Sequence, residues 1–84
     1  MSNRQLTEVM RSKNFAEVLR ELRLKAELSQ EVLAKRAGLH RTYISQLERG
    51  ARSPSLDVAM RISEVLDIPF SEFASHLEKP RAKR

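Results

Sequence analysis

Apolar residues recur along this chain at intervals of three and four, which is the period of one face of an α-helix. Five such stripes follow one another, each bounded by a cap or a breaker. Phe15, Val18, Leu19, Leu22 and Ala26 form the first, predicting a helix from Phe15 to Leu28 with Asn14 as its cap. Val32, Leu33 and Ala37, with the small Ala34 beside them, form a second after Ser29. A serine hydroxyl can accept from the free amides of a first helical turn. Gly38 ends this helix, because glycine enters the left-handed conformation without a Cβ penalty. Ile44 and Leu47 mark the inner face of a third helix, which starts at His40 or Arg41 and stops at Gly50. Pro54 and Ser55 open a fourth, with Leu56, Ala59, Met60, Ile62, Ser63, Val65 and Leu66 as a broad apolar face. It ends near Asp67, where a left-handed residue is expected. Pro69 or Phe70 starts a fifth, striped by Phe70, Phe73, Ala74 and Leu77.

No run alternates apolar and polar residues between turn signals, so no strand is expected. No internal repeat is visible at periods of 20–50 residues. The fold class is therefore all-α, with about five short helices.

The stretch from Gln30 to Leu47 carries the functional signal. Two short helices are joined by a tight turn, with Leu39 plugging it. The outer face of the second helix is Arg41, Thr42, Ser45, Gln46 and Arg49. All five can hydrogen-bond and none is acidic. This pattern is that of a helix-turn-helix, whose second helix enters the DNA major groove. The segment resembles the phage-repressor and Cro-like helix-turn-helix domains of the Xre family. The markers are RLKAELSQEVLA from Arg23 to Ala34, Gly38, ISQLERG from Ile44 to Gly50, and SPSLD from Ser53 to Asp57. RTYISQLERG also looks like the recognition helix of the small controller proteins of restriction–modification systems. The resemblance spans about Phe15 to Leu77 and implies a lambda-repressor-like fold. Ala26-Glu27 departs from it, standing where the family often has a glycine.

Residue types suit these positions chemically. Arg41 can donate in a bidentate way to guanine N7 and O6, and Gln46 can both donate to and accept from adenine. Thr42 offers a methyl for the thymine C5 methyl, and Ser45 a hydroxyl. The family places base contacts at these four positions. Arg23, Gln30, His40, Tyr43, Arg49, Arg52 and Ser53 are the candidate phosphate contacts. For Arg23 the resemblance implies two duties, pairing with Glu48 and facing a phosphate. The alternative for each of these residues is an ordinary solvated side chain, and His40 is most simply a cap or turn residue, with a phosphate contact second. Ile68, Phe70, Phe73 and Leu77 have two readings: a self-association surface, as in similar repressors, or completion of the monomer core.

Charge changes the picture only in degree. The 84 residues carry 16 Lys and Arg against 11 Asp and Glu, a formal +5, which favours polyanionic partners but also serves solubility. The absence of cysteine excludes a disulfide framework or a thiolate zinc site. Neither histidine has a nucleophile or carboxylate at a recognised catalytic spacing, and no glycine-rich phosphate loop is present. The protein is expected not to be an enzyme and to need no cofactor or metal. No apolar run approaches the roughly 18 residues of a membrane span. A cytoplasmic, bacterial or phage-encoded location is expected.

Residues 1–13 are expected to be an extension, with Leu6, Val9 and Met10 at helical spacing, either a short helix or a frayed tail. Residues 14–78 are the helix-turn-helix domain, and 79–84 a basic flexible tail. The expected function is sequence-specific binding of double-stranded DNA by a homodimer on a pseudo-palindromic operator, regulating transcription. RNA polymerase is a further candidate partner. An antitoxin-type autoregulator belongs to the same picture. The rival from another class is a protein-interaction module built on the same scaffold.

Overall fold

The computed structural model describes residues 13–78. Within them are five helices: α1, Lys13–Lys25; α2, Gln30–Ala37; α3, Arg41–Glu48; α4, Leu56–Val65; and α5, Phe70–Glu78. No strand occurs among the described residues. The expected extension and basic tail lie outside them, apart from Lys13.

Local chemistry sets the helix boundaries. Ser29 Oγ accepts from the Val32 amide at 3.0 Å, and Ser55 Oγ from the Val58 amide at 3.1 Å, so both expected serine caps are in place. Asn14 is not a cap. It lies inside α1, and its Nδ2 donates to the Leu77 carbonyl, tying α1 to the end of α5.

The first four helices all close with the same pair of backbone bonds. The amides of Glu27, Gly38, Gly50 and Asp67 return to the carbonyls of Leu24, Lys35, Leu47 and Glu64. The next amides, of Leu28, Leu39, Ala51 and Ile68, return to Arg23, Ala34, Gln46 and Ser63. This is the Schellman arrangement, which satisfies end carbonyls and needs one left-handed residue. Gly38 and Gly50 supply it at φ 71 and 73, but Glu27 and Asp67 take it at φ 60 and 61. The first helix therefore stops at Lys25 rather than Leu28, with Glu27 in the slot that a glycine would fill at lower cost. Glu27→Gly is expected to raise stability by about 1 kcal/mol, the approximate cost of a left-handed L-residue. A urea titration checks this, and a midpoint at or below that of the parent contradicts it.

α1 packs against α3 and α5, α2 against α3 and α4, and α4 against α5. Phe15, Val18 and Leu19 of α1 meet Leu33 and Ala34, Ile44 and Leu47, Val58, Ala59 and Ile62, and Leu66, Phe73 and Leu77 in one core. Phe73 and Leu77 are 0% and 1% exposed within a single chain, and the Phe73 ring meets Phe15 edge-on at 5.8 Å. Of the two readings of α5, the core is correct for these two residues, because α1 covers them. Ile68 and Phe70 are only partly buried. Three other apolar assignments also change. Leu56 and Met60 of α4 and Val32 of α2 face outward. A helix packed on one side cannot bury every residue of so broad an apolar stripe.

Candidate nucleic-acid interface

The geometry of α3 follows from which of its residues are pinned. Ile44 and Leu47 are fully buried against the core. On a helix this fixes the opposite side outward. Thr42 is exposed there, Arg41 is exposed at the start of the helix beside the inner face, and Ser45 and Gln46 are half-buried one turn on. The first turn of α3 is thus its more exposed part. His40 occupies the N-cap position with an extended backbone, but its side chain makes no cap hydrogen bond.

The single carboxylate of α3 is turned away from this face. Glu48 is held by Arg23, with Nε–Oε2 at 2.6 Å and Nη2–Oε1 at 2.9 Å. Gln30 Nε2 donates to the same Oε1 at 3.0 Å, and Arg23 Nη1 donates to the Leu28 carbonyl at 2.8 Å. Bidentate charge-assisted pairing of this kind is among the stronger side-chain contacts. The hydrogen bond to Glu48 and its negative charge hold the guanidinium above its ordinary pKa against the opposing effect of burial. The cluster has two consequences. It fastens α3 to α1 and to the start of α2, and it removes an acidic group from a surface otherwise lined by cations and neutral donors.

The cluster also corrects two expectations. Arg23 is 8% exposed and each of its three guanidinium nitrogens already donates to a protein acceptor. It makes the expected pair, but the phosphate contact expected beside it is not what this geometry shows. Gln30, half-buried, directs its amide to Glu48 rather than outward.

The remaining candidates fall on the exposed side. Arg49 Nη1 donates to Ser45 Oγ at 2.6 Å, so these two residues, one expected at a base and one at a phosphate, are joined. Arg52 places its guanidinium 5.4 Å from the centre of the Tyr43 ring. A cation over an aromatic face is attracted by the ring quadrupole. That contact draws the loop after Gly50 toward α3. Gly38, Leu39, His40, Thr42, Tyr43, Gln46 and Arg52 line one open concavity beside the helix. Ser53 is exposed in the same loop. The structure therefore brings Arg41, Thr42, Ser45 and Gln46 onto one surface, flanked by Arg49, Arg52 and Tyr43.

One residue was not anticipated. Arg61 of α4 reaches both Asp57 and the carbonyl of Ala37 at the end of α2. Its four-residue spacing from Asp57 is a readable pairing signal, but the contact across to α2 has no counterpart in the linear sequence.

The helix-turn-helix family matches residues 19–73, which contain this whole arrangement. The chain belongs to that family. This helix-turn-helix protein is similar to Control protein C.BamHI of Bacillus amyloliquefaciens, at 49% identity over 55 residues covering 64% of this chain and 68% of that one. It is also similar to Control protein C.MunI of a Mycoplasma species, at 44% identity over 66 residues covering 77% and 89%. Among solved structures it resembles the restriction-modification controller protein C.AhdI from Aeromonas hydrophila. That likeness has a TM-score of 0.70 and 39% identity, covering 79% of this chain and 96% of the other. Among the described residues of this helix-turn-helix protein, no helix is long and apolar enough to cross a membrane.

Proposed function

We propose that this protein is a sequence-specific DNA-binding regulator of transcription, acting as a homodimer and belonging to the controller kind found with restriction–modification systems. The observation that carries the reading is α3. Two buried residues, Ile44 and Leu47, set its orientation, its one carboxylate is neutralised inward, and Arg41 and Thr42 lead its exposed first turn. The match to named control proteins favours the controller kind over a phage repressor or an antitoxin. Such a protein works in the cytoplasm, where its DNA is.

In this reading Arg41 donates to a guanine edge, Gln46 pairs with an adenine, and Thr42 meets a thymine methyl, with Ser45 beside them. Arg49, Arg52, Tyr43, Ser53 and His40 contact phosphates and set the register. Arg41→Ala is expected to cost about 1–3 kcal/mol on the preferred duplex and to relax preference at one base pair. Binding to an oligonucleotide panel carrying each single base change measures this. An equal loss on every duplex would make Arg41 a phosphate contact instead.

One helix-turn-helix reads only a few base pairs, and a two-fold dimer doubles the site. Two copies of α3 would then lie about 34 Å apart, one helical turn of DNA. The exposed Met60 and the half-buried Ile68 and Phe70 line one groove between α4 and α5, and this is the face we assign to the second copy. It replaces the assignment that included Phe73 and Leu77. Met60→Lys puts a charge on that face at a position 49% exposed in the single chain, so the fold should persist. Sedimentation is expected to show the variant as a monomer where the parent is a dimer. A variant still dimeric at the same concentration would place the interface elsewhere.

A further inference from the structure

Arg61 makes contacts that the DNA-facing residues do not account for. It stands in the second half of α4, and its Nη1 donates to the Ala37 carbonyl at 3.2 Å. Its Nε and Nη2 donate to Asp57 Oδ2 at 3.2 and 2.9 Å, which aims the planar fork. Ala37 is the last residue of α2, so its carbonyl belongs to the negative end of that helix, where a cation is favoured. The Gly38 and Leu39 amides are already engaged with Lys35 and Ala34. A Cβ built on Gly38 would stand 3.6 Å from Arg61 Nη1, so the guanidinium lies directly against the turn that launches α3.

We infer that Arg61 is a positioning residue for DNA recognition: it fastens the turn between α2 and α3 to α4 and so fixes the attitude of Arg41 and Thr42 at the start of α3. The C-terminal half of α3 is secured by the Arg23–Glu48 pair and by Leu47. The N-terminal half begins three residues after Gly38, and among the described residues Arg61 is the side chain from another element that bonds to the backbone at the end of α2. A bidentate contact to a base edge tolerates a displacement of about 0.5 Å, so a small tilt of the first turn is enough to lose it. In this inference Arg61 acts on recognition through the turn, by its bond to the Ala37 carbonyl.

This inference rests on the DNA-binding reading, and the test separates the two. The full-length protein is used to select a preferred duplex from a random pool, and its affinity is compared with that for a scrambled duplex across a salt series. If the parent shows no preference, the DNA reading itself fails. Given a preference, Arg61→Met keeps the side-chain stem but removes the fork. The expected result is a drop of about tenfold in the ratio of preferred to scrambled affinity. The salt slope and the urea midpoint should stay near those of the parent, and amide exchange should quicken selectively at Gly38 and Leu39. Arg61→Lys, which keeps a donor and a charge, should recover most of the ratio. An unchanged ratio in Arg61→Met overturns the inference. So does a salt slope smaller by about 0.9 at constant ratio, which would make Arg61 a phosphate contact. A lowered midpoint with all amides quickened together, or Arg61→Lys as poor as Arg61→Met, overturns it as well.

Discussion

Phe73→Ala is expected to destabilise the single chain by about 3–5 kcal/mol, the usual cost of removing a fully buried aromatic ring. The ring has no exposed surface, it meets Phe15 edge-on, and Phe70 lies against it at 6.2 Å between centres. Leu77, Leu19 and Val18 are likewise fully buried, so the ring is removed from the interior of the core and not from its edge. A domain of this size buries only roughly 60–65% of its unfolded surface, and total stabilities run about 5–15 kcal/mol. The melting temperature should therefore fall by roughly 15–30 °C. Thermal unfolding followed by circular dichroism checks this at two protein concentrations. Had Phe73 belonged to a contact between copies, the variant would keep its monomer fold and change only its mass.

Arg23→Met should be as severe for a different reason. Its loss leaves Glu48, whose side chain is 4% exposed, with one amide donor from Gln30 and no opposite charge. It also removes the partner of the Leu28 carbonyl in the turn between α1 and α2. Stripping one member from a buried ion pair costs about 3–5 kcal/mol, since the remaining charge keeps its desolvation penalty. The pair itself is not a large net source of stability. Replacing both residues with apolar ones of similar volume is commonly neutral, so Arg23→Met combined with Glu48→Leu should recover most of the lost urea midpoint. A double variant as weak as Arg23→Met alone would mean that the pair contributes beyond mutual neutralisation. The functional readout differs from that of Phe73→Ala. Glu48 is on the helix proposed to face DNA, so an unpaired carboxylate that swings outward would also repel phosphate in that reading.

These two cases show why some parts of the molecule are legible in the sequence and others are not. Arg23 and Glu48 can be matched because Glu48 follows the inward-facing Leu47 and the family resemblance links the two. The serine caps and the glycine stops are readable because each residue type has a conformational reason to be there. Asp67 falls in the same class, as a short polar residue tolerant of the left-handed region. Glu27 does not, since nothing in its side chain favours φ 60. Helical period also cannot say which positions of the broad stripe predicted for α4 face out. That choice belongs to the partners on either side, and it leaves Leu56 and Met60 exposed.

The recognition surface is legible in outline and not in detail. Thr42 lies outward because Ile44 and Leu47 must lie inward, a one-dimensional fact about the helix, whereas Arg41, three residues before Ile44, flanks the inner face and is exposed as the first residue of α3. Gln30 turning to Glu48, Arg49 bonding Ser45, and Arg61 bonding the end of α2 depend on rotamers and on distances between elements. Phe73 is the plainest instance. Its spacing on α5 fits a core face and an interface face equally, and only the packing of α1 over it decides.

The central claim is that α3 is a probe for base edges carried on a cationic, acid-free face. Its most direct test is the affinity of the full-length protein for a preferred duplex, measured against salt and against an excess of scrambled duplex. Groove binding predicts that log affinity falls linearly with log salt, by about 0.9 for each phosphate neutralised, while the preferred duplex stays bound over the scrambled one at every salt concentration. A flat salt response with no preference between duplexes would contradict it and leave the fold as a scaffold for some other partner.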